Sequence, residues 1–324
     1  LPPNPADAGR PAKRTNHRGM VVSSYSVGRQ LSATGRHFLY EGRSLGGSRK
    51  VTIKIMTEPH DAYRRGRGLV VNPYIHELRA ALEVGANLVV RHLDVGTTPA
   101  GEHYLVRERA DGELASEALA RQGPLSLPDA VAVAADAALA VERLHKLGLV
   151  RVNLSPSNII VHRDEETGTW RGWIADLDGF EIVGTRSALL PDELIAAPLY
   201  LAPEMISGAP LRPAVDIYSL GSLLYTLIAG KPPLDLPDAP ASAVADYLRG
   251  NGRIPSEKLR FLVRGLPDEA DMLISKCLKR GAADRPGSVE QFVRGLHHLL
   301  TVHRDQHRDQ PIHKSIWNRV ARDG

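Results

Sequence analysis

The chain has 324 residues, a length for one large domain or two modest ones. Hydrophobic residues make up 43% and charged residues 24%, ordinary globular values that exclude wholesale disorder. The formal charge of +4 (pI near 9.2) falls short of a dedicated nucleic-acid protein, and the single cysteine, Cys277, excludes a disulfide framework and a cysteine-rich zinc site.

Residues 1–20, rich in Pro, Asn, Gly and Arg, read as a disordered leader. They hold no apolar signal core, and the chain begins without Met, as a processed or excised piece does. From Val21 to Glu108 the pattern is strand-like, with candidate strands over residues 25–31, 37–41, 51–56 and 103–108. Residues 42–50, GRSLGGSRK, have turn composition and join two of them. One helix, 73–84, interrupts the strands and places Ile75, Leu78 and Leu82 at i, i+3 and i+7.

Beyond Gly112 the chain turns helical. Ser126-Leu-Pro-Asp129 has the form of a capping box, Val133, Ala137, Val141 and Leu144 line one face, and Gly148 is placed to end the helix. Residues 159–161 and 173–175 read as short strands. Helices follow near 213–229, 268–279 and 288–300. The first holds the longest apolar run, IYSLGSLLYTLIAG, shorter than the ~18–20 residues of a membrane span and so a buried core helix. No membrane span is expected, and a cytoplasmic location is the default. The last opens on a second capping box, Ser288 to Gln291. Residues 301–324 read as a polar, basic tail with no apolar stripe beyond Ile316, Trp317 and Val320. The order is a small β-rich part with one helix, then a larger helical part: an α+β chain in two lobes.

The stretch LHKLGLVRVNLSPSNII, residues 144–160, resembles the catalytic loop of protein kinases. IADLDG (174–179) stands where that family has D-F-G, and LYLAPE (199–204) is similar to the end of its activation segment. VDIYSLGSLLYTLIAGKPP (215–233) resembles the buried central helix, and Asp284-Arg285-Pro286 supplies the arginine that pairs with Glu204. Upstream, VTIK (51–54) resembles the third strand, and Glu77 falls where the helix glutamate belongs.

The resemblance covers about residues 21–300. It implies a bilobal protein-kinase-like fold with an N-lobe over about 21–108 and a C-lobe over about 109–300, followed by the 301–324 tail. It implies that Lys54 holds nucleotide phosphates, fixed by Glu77, with Glu108 and Ala110 in the hinge-like segment. Asn158 and Asp176 would supply hard oxygen ligands to magnesium, so ATP with Mg is the implied cofactor. Asp216 and the Glu204–Arg285 pair would be structural.

The departures cluster at the chemistry. Asn153 occupies the position of the catalytic aspartate, and an amide is not a useful base; losing such a group costs ~10²–10⁴ in rate. Val152 removes the arginine that answers an activation-loop phosphate, and Arg151 replaces the histidine. Ser155 replaces the loop lysine, Ala196-Ala197 replace Gly-Thr, and Asp178 replaces the D-F-G glycine, with Gly179 next to it. A literal His-Arg-Asp at 162–164 lies beyond the loop, with Thr169 where its asparagine belongs. It reads as solvated turn residues, as do its repeats at 303–305 and 307–309. The glycine-rich loop falls on residues 32–37, SATGRH, without the three glycines that let backbone N–H groups approach phosphate. Thr52 replaces the alanine that packs on adenine. Arg107 falls at the back of the adenine pocket: it either points inward, filling the pocket and pairing with Glu77 or Asp176, or lies one residue out of register and faces solvent.

Two basic clusters, Arg64, Arg65 and Arg67 in one loop and Arg304, Arg308, Lys314, Arg319 and Arg322 in the tail, read as solvated faces. They carry no aromatic ladder for nucleic acid. The sequence therefore points to a pseudokinase: a regulatory or scaffolding module that binds a protein partner, with no catalytic residue expected and at most residual nucleotide binding. An ATP-dependent transferase using Lys54, Glu77, Asn158 and Asp176 is the alternative. A structural part of a larger assembly, docking through the Trp317 region, is the third reading.

Overall fold

The computed structural model describes residues 16–33, 37–56, 74–85, 87–151, 154–175, 180–185, 198–234 and 258–321. The chain divides into two units, Leu1–Leu82 with Val90–Ala110, and Glu83–Val89 with Asp111–Gly324. The division falls two residues beyond the 108/109 boundary read from sequence.

The first unit is a six-stranded sheet in the order β1-β2-β3-β4-β6-β5. Its strands are β1 (Val21–Val22), β2 (Tyr25–Ala33), β3 (His37–Ser44), β4 (Lys50–Met56), β5 (His92–Thr97) and β6 (His103–Glu108), and helix α1 (Tyr74–Val84) lies between β4 and β5 in sequence. Alternation along β4 sorts the sheet into two faces. Val51, Ile53 and Ile55 join Val22, Val27, Phe38, Tyr40, Tyr104 and Val106 in one apolar cluster. Thr52 and Lys54 point the other way.

Two expectations for this unit are corrected. Leu82 does not face the core: it is 67% exposed, while Ala80, Ala81 and Val84 are buried, so the inward stripe of α1 lies on its opposite side. Residues 16–20 are not a disordered leader. His17 is fully buried, with Nδ1 2.8 Å from the Tyr40 hydroxyl and Nε2 2.8 Å from Glu102 Oε2, and Gly19 N–H donates to Val27 O. The edge strand β5 escaped the sequence reading because HLDVGT lacks alternation and pairs with β6 across a bulge.

The second unit is mainly helical. It runs β7 (Glu113–Leu114), α2 (Ala115–Gln122), α3 (Leu127–Lys146), β8 (Leu149–Arg151), β9 (Ile159–Arg163), β10 (Trp170–Ile174) and β11 (Phe180–Ile182). The helices α4 (Pro203–Ile206), α5 (Ala214–Ala229), α6 (Leu259–Leu262), α7 (Asp268–Cys277), α8 (Val289–Gln306) and α9 (Lys314–Val320) follow. β10-β9-β7 form one small sheet and β11-β8 another.

Helix α3 starts as its sequence dictates. Ser126 Oγ accepts from Asp129 N–H at 3.3 Å and donates to Asp129 Oδ2 at 2.7 Å. It ends before Gly148 at φ +73°, a left-handed conformation that favours glycine. Helix α5 is apolar on every side and buried from Val215 to Ile228, which is why it reads as a core helix. A Cβ at Gly221 would overlap that of Cys277 on α7, so the two helices approach closely only because residue 221 is glycine. Burial pushes the Cys277 thiol up to about 12 and leaves it inert.

The residues read as a tail also carry structure. Helix α8 continues to Gln306, and α9 buries Ile316 and Val320. Arg319 donates to Trp170 O at 2.6 Å and to Thr169 Oγ1 at 3.2 Å, and lies 3.6 Å from the buried Asp136 carboxylate. Ser315 Oγ is 3.2 Å from Thr169 Oγ1. The seven-residue α9 shows only two inward positions, too few to register as a stripe.

Candidate functional site

In the first unit, Lys54 is set by register. It pairs with Leu39 on β3 and Leu105 on β6, and it is 0% exposed. Glu77 lies on α1, with its side chain outside the described residues. Glu108 closes β6. Its N–H donates to Arg91 O at 2.8 Å, and its half-exposed carboxylate is 3.9 Å from Arg49 Nε. Arg109 N–H donates to Lys50 O at 3.1 Å, which fixes the segment leading to Ala110. Arg107 is 6% exposed, directly opposite Thr52, so the outward reading of this side chain is overturned. Residues 34–36 of the SATGRH loop and Arg64, Arg65 and Arg67 lie outside the described residues.

In the second unit, Val152 and Asn153 lie outside the described residues, as do Asp176 to Gly179, Ala196 and Ala197. Their flanks are well defined. Leu154 and Ser155 are buried, and Pro156–Asn158 form one 3-10 turn. Asn158 Oδ1 accepts from Ser155 N–H at 3.0 Å, so the side chain pins its own loop. Ala175 N–H, one residue before Asp176, donates to Asn158 O at 2.8 Å.

The platform beneath this loop is held by buried charge. Asp216 on α5 is 0% exposed, and its Oδ2 accepts from Arg151 N–H at 2.8 Å and lies 2.8 Å from His145 Nε2. Arg151 itself is 1% exposed, at the position of the family's histidine. Arg285 grips Glu204 through two hydrogen bonds of 2.6 and 2.7 Å, donates to Ala214 O at 2.8 Å, and stands 5.1 Å from the Tyr218 ring centre. The role of His145 was not read from sequence; its place in the last turn of α3 was the available signal.

A second buried cluster lies on α3. Asp136 Oδ2 accepts from Gly172 N–H at 3.0 Å and from Arg171 Nε at 3.2 Å. Burial raises its carboxyl above the usual carboxylate range, and the guanidiniums of Arg319 and Arg171 oppose that rise. The literal His-Arg-Asp at 162–164 has no part in this platform. His162 stacks on Trp173 at 4.1 Å, and Asp164 Oδ1 caps a turn through Thr167. Arg304 pairs with Asp305 and lies 5.5 Å from the Trp317 ring centre, and His297 meets that ring edge-on, so Trp317 is covered on two sides by its own chain.

A bilobal α+β chain with a β-rich first lobe, a buried central helix and a bidentate Glu204–Arg285 pair has the build of a protein kinase. The family model for the protein kinase domain matches residues 36–300, and the chain belongs to that family. Among its relatives is the serine/threonine-protein kinase PknL of Mycobacterium bovis, 27% identical over 82% of this chain and 63% of PknL. The serine/threonine-protein kinase PknB of Mycobacterium tuberculosis is 28% identical over 89% of this chain and 44% of PknB. PkaA of Streptomyces coelicolor, also a serine/threonine-protein kinase, is 30% identical over 59% of this chain and 33% of its own. The chain thus spans less than two thirds of the length of these relatives. Among the described residues no helix is long and apolar enough to cross a membrane.

Proposed function

We propose that this chain is a pseudokinase domain, a regulatory or scaffolding module that acts by binding a protein partner through its surface. The observation that carries the reading is Asn153 at the base position of a chain whose kinase scaffold is otherwise built. An amide cannot take the acceptor hydroxyl's proton. The departures at Val152, Ala196-Ala197 and the SATGRH loop fall on the same functions of acceptor positioning, phosphate control and nucleotide approach. By contrast Asp216, Glu204 and Arg285, which hold the fold, keep their partners. Purified protein incubated with γ-labelled ATP and generic protein acceptors is expected to transfer no phosphate. Labelling that Lys54→Ala or Asp176→Ala abolishes would overturn the reading.

The alternative is an ATP-dependent transferase. It is supported by the buried Lys54, by relatives named as serine/threonine-protein kinases, and by Asn158, which keeps an oxygen-bearing side chain at the magnesium-ligand position of the family's loop. In that reading Lys54 and Glu77 serve the phosphates, Glu108 and Ala110 border the base, and Asn158 with Asp176 hold magnesium. Phosphoryl transfer depends chiefly on positioning and charge stabilisation, so slow transfer without a base is physically allowed. A magnesium-dependent rise in melting temperature with ATP is its first requirement; at 100 times Kd, bound nucleotide adds ~2.7 kcal/mol.

A further inference from the structure

The first unit's sheet has one closed face and one cationic face. The closed face is the apolar cluster around Ile53, Ile55 and Tyr40. The other is fixed by pairing: Lys54 stands beside Leu105 and Leu39, and Thr52 beside Arg107 and Glu41. Directly opposed residues in an antiparallel pair share a face, and diagonal neighbours lie ~7–8 Å apart. Lys54 and Arg107 are such a diagonal pair, so an ammonium and a guanidinium project from the same side of β4 and β6. His92, opposite Arg107 on β5, shares that side. All three are buried, at 0%, 6% and 4% exposure.

A guanidinium cannot shed its charge, so burying one demands a fixed set of partners. Arg107 and Lys54 are both engaged by other groups of the protein. Glu41, the carboxylate opposite Thr52, is instead drawn outward to Arg29 at 2.9 Å and Arg109 at 3.5 Å. Arg107 therefore fills space on the Lys54 face that an uncharged side chain would leave free. A planar, uncharged purine entering there would have to displace the guanidinium from its partners and would return no negative charge to it.

We infer that Arg107 is a specificity-determining plug that closes the Lys54 face to adenine. The inference rests on the reading of this face as the family's nucleotide face, and it deepens the pseudokinase proposal by naming the side chain that rejects the base. Thr52 is the cross-strand partner that completes the plug, because its branched side chain narrows the floor beside Arg107.

Calorimetric titration of the full chain with Mg-ATP, and separately with adenosine, tests it. Wild-type protein is expected to bind neither at millimolar concentration. Arg107→Met, with an uncharged stem of comparable length, is expected to bind Mg-ATP at least about tenfold more tightly than wild type. Adding Lys54→Ala to that variant should remove the gain. Arg107→Gln, which keeps hydrogen-bonding groups, carries the comparison if the methionine variant does not hold its fold, as judged by its melting curve without ligand. Wild-type protein that binds adenosine or Mg-ATP as tightly as the variants overturns the plug, as do folded variants that still bind neither. Phosphate transfer enters neither arm: wild-type binding without transfer would sink the plug and leave the pseudokinase reading standing.

Discussion

The helical unit and the Lys54 face of the first sheet both bury charge, and they do so to different ends. In the helical unit two buried ions each tie three elements together: Arg285 joins the 280s loop to α4 and the start of α5, and Asp216 joins α5 to α3 and β8. On the sheet face, two cations lie diagonally on neighbouring strands, Lys54 on β4 and Arg107 on β6. The difference teaches that the buried ions of the helical unit are cross-ties between elements, while those of the sheet share one side of it. Asp216, Glu204 and Arg285 retain their partners in the C-lobe, while in the sequence Asn153, Ala196-Ala197 and the SATGRH loop depart from the family's pattern and Lys54, Asn158 and Asp176 keep it.

The largest effect should come from breaking the scaffold side of this comparison. Arg285→Ala strands Glu204 and three carbonyls, and a loss of about 3–5 kcal/mol is expected by urea denaturation. Glu204→Ala should cost nearly as much, and the double variant much less than the sum, because both remove one interaction. A smaller loss, about 1.5–3 kcal/mol, is expected for Arg319→Ala, which unhooks α9 from Trp170 O, Thr169 and Asp136. Arg304→Ala, on the exposed side of the same region, should cost less than about 1 kcal/mol. If both leave the melting temperature unchanged, residues 301–321 are an appendage after all.

A pH series sharpens the same contrast. Burial holds the His162 ring below its ordinary value of 6.5, and burial with the neighbouring His307 does the same for His303. Both favour the neutral ring in the folded state, so their contribution is present above about pH 6.5 and is lost as pH falls below it. Asp136, raised by burial, runs the opposite way, gaining stability as pH falls through its raised value toward the ordinary 3.8. The melting temperature is expected to drop between pH 7.5 and 5.5, with a shallower drop in His162→Gln. A loss of ~1 kcal/mol is expected at Ser126 on removal of the cap, between those of Arg319→Ala and Arg304→Ala.

Much of the fold was legible because local rules and tertiary packing agree. The α5 run is apolar on all sides and lies in the core; the caps at Ser126 and Ser288 sit where S-x-x-D and S-x-x-Q place them. Leu82 was misread because a three-point stripe does not say which side of a short helix is covered. Residues 16–20 and α9 were missed because a few contacts distant in sequence hold them: His17 to Tyr40 and Glu102, and Arg319 to Trp170, Thr169 and Asp136. No composition rule sees partners 23 and 85 residues away, as Tyr40 and Glu102 are from His17. At the candidate site, the inward course of Arg107 needed the β4–β6 register, which sequence left one residue uncertain. Lys54 is buried opposite Leu105, a burial the motif's resemblance could not fix, and Asn158 pins its own loop through Ser155.

The central claim is that this kinase scaffold no longer performs a kinase's chemistry. Its most direct test is the rate of phosphate incorporation into protein at millimolar Mg-ATP, followed for hours in wild type and in Asp176→Ala. The account predicts indistinguishable traces at background. Steady incorporation by the wild type that vanishes in the variant would contradict it.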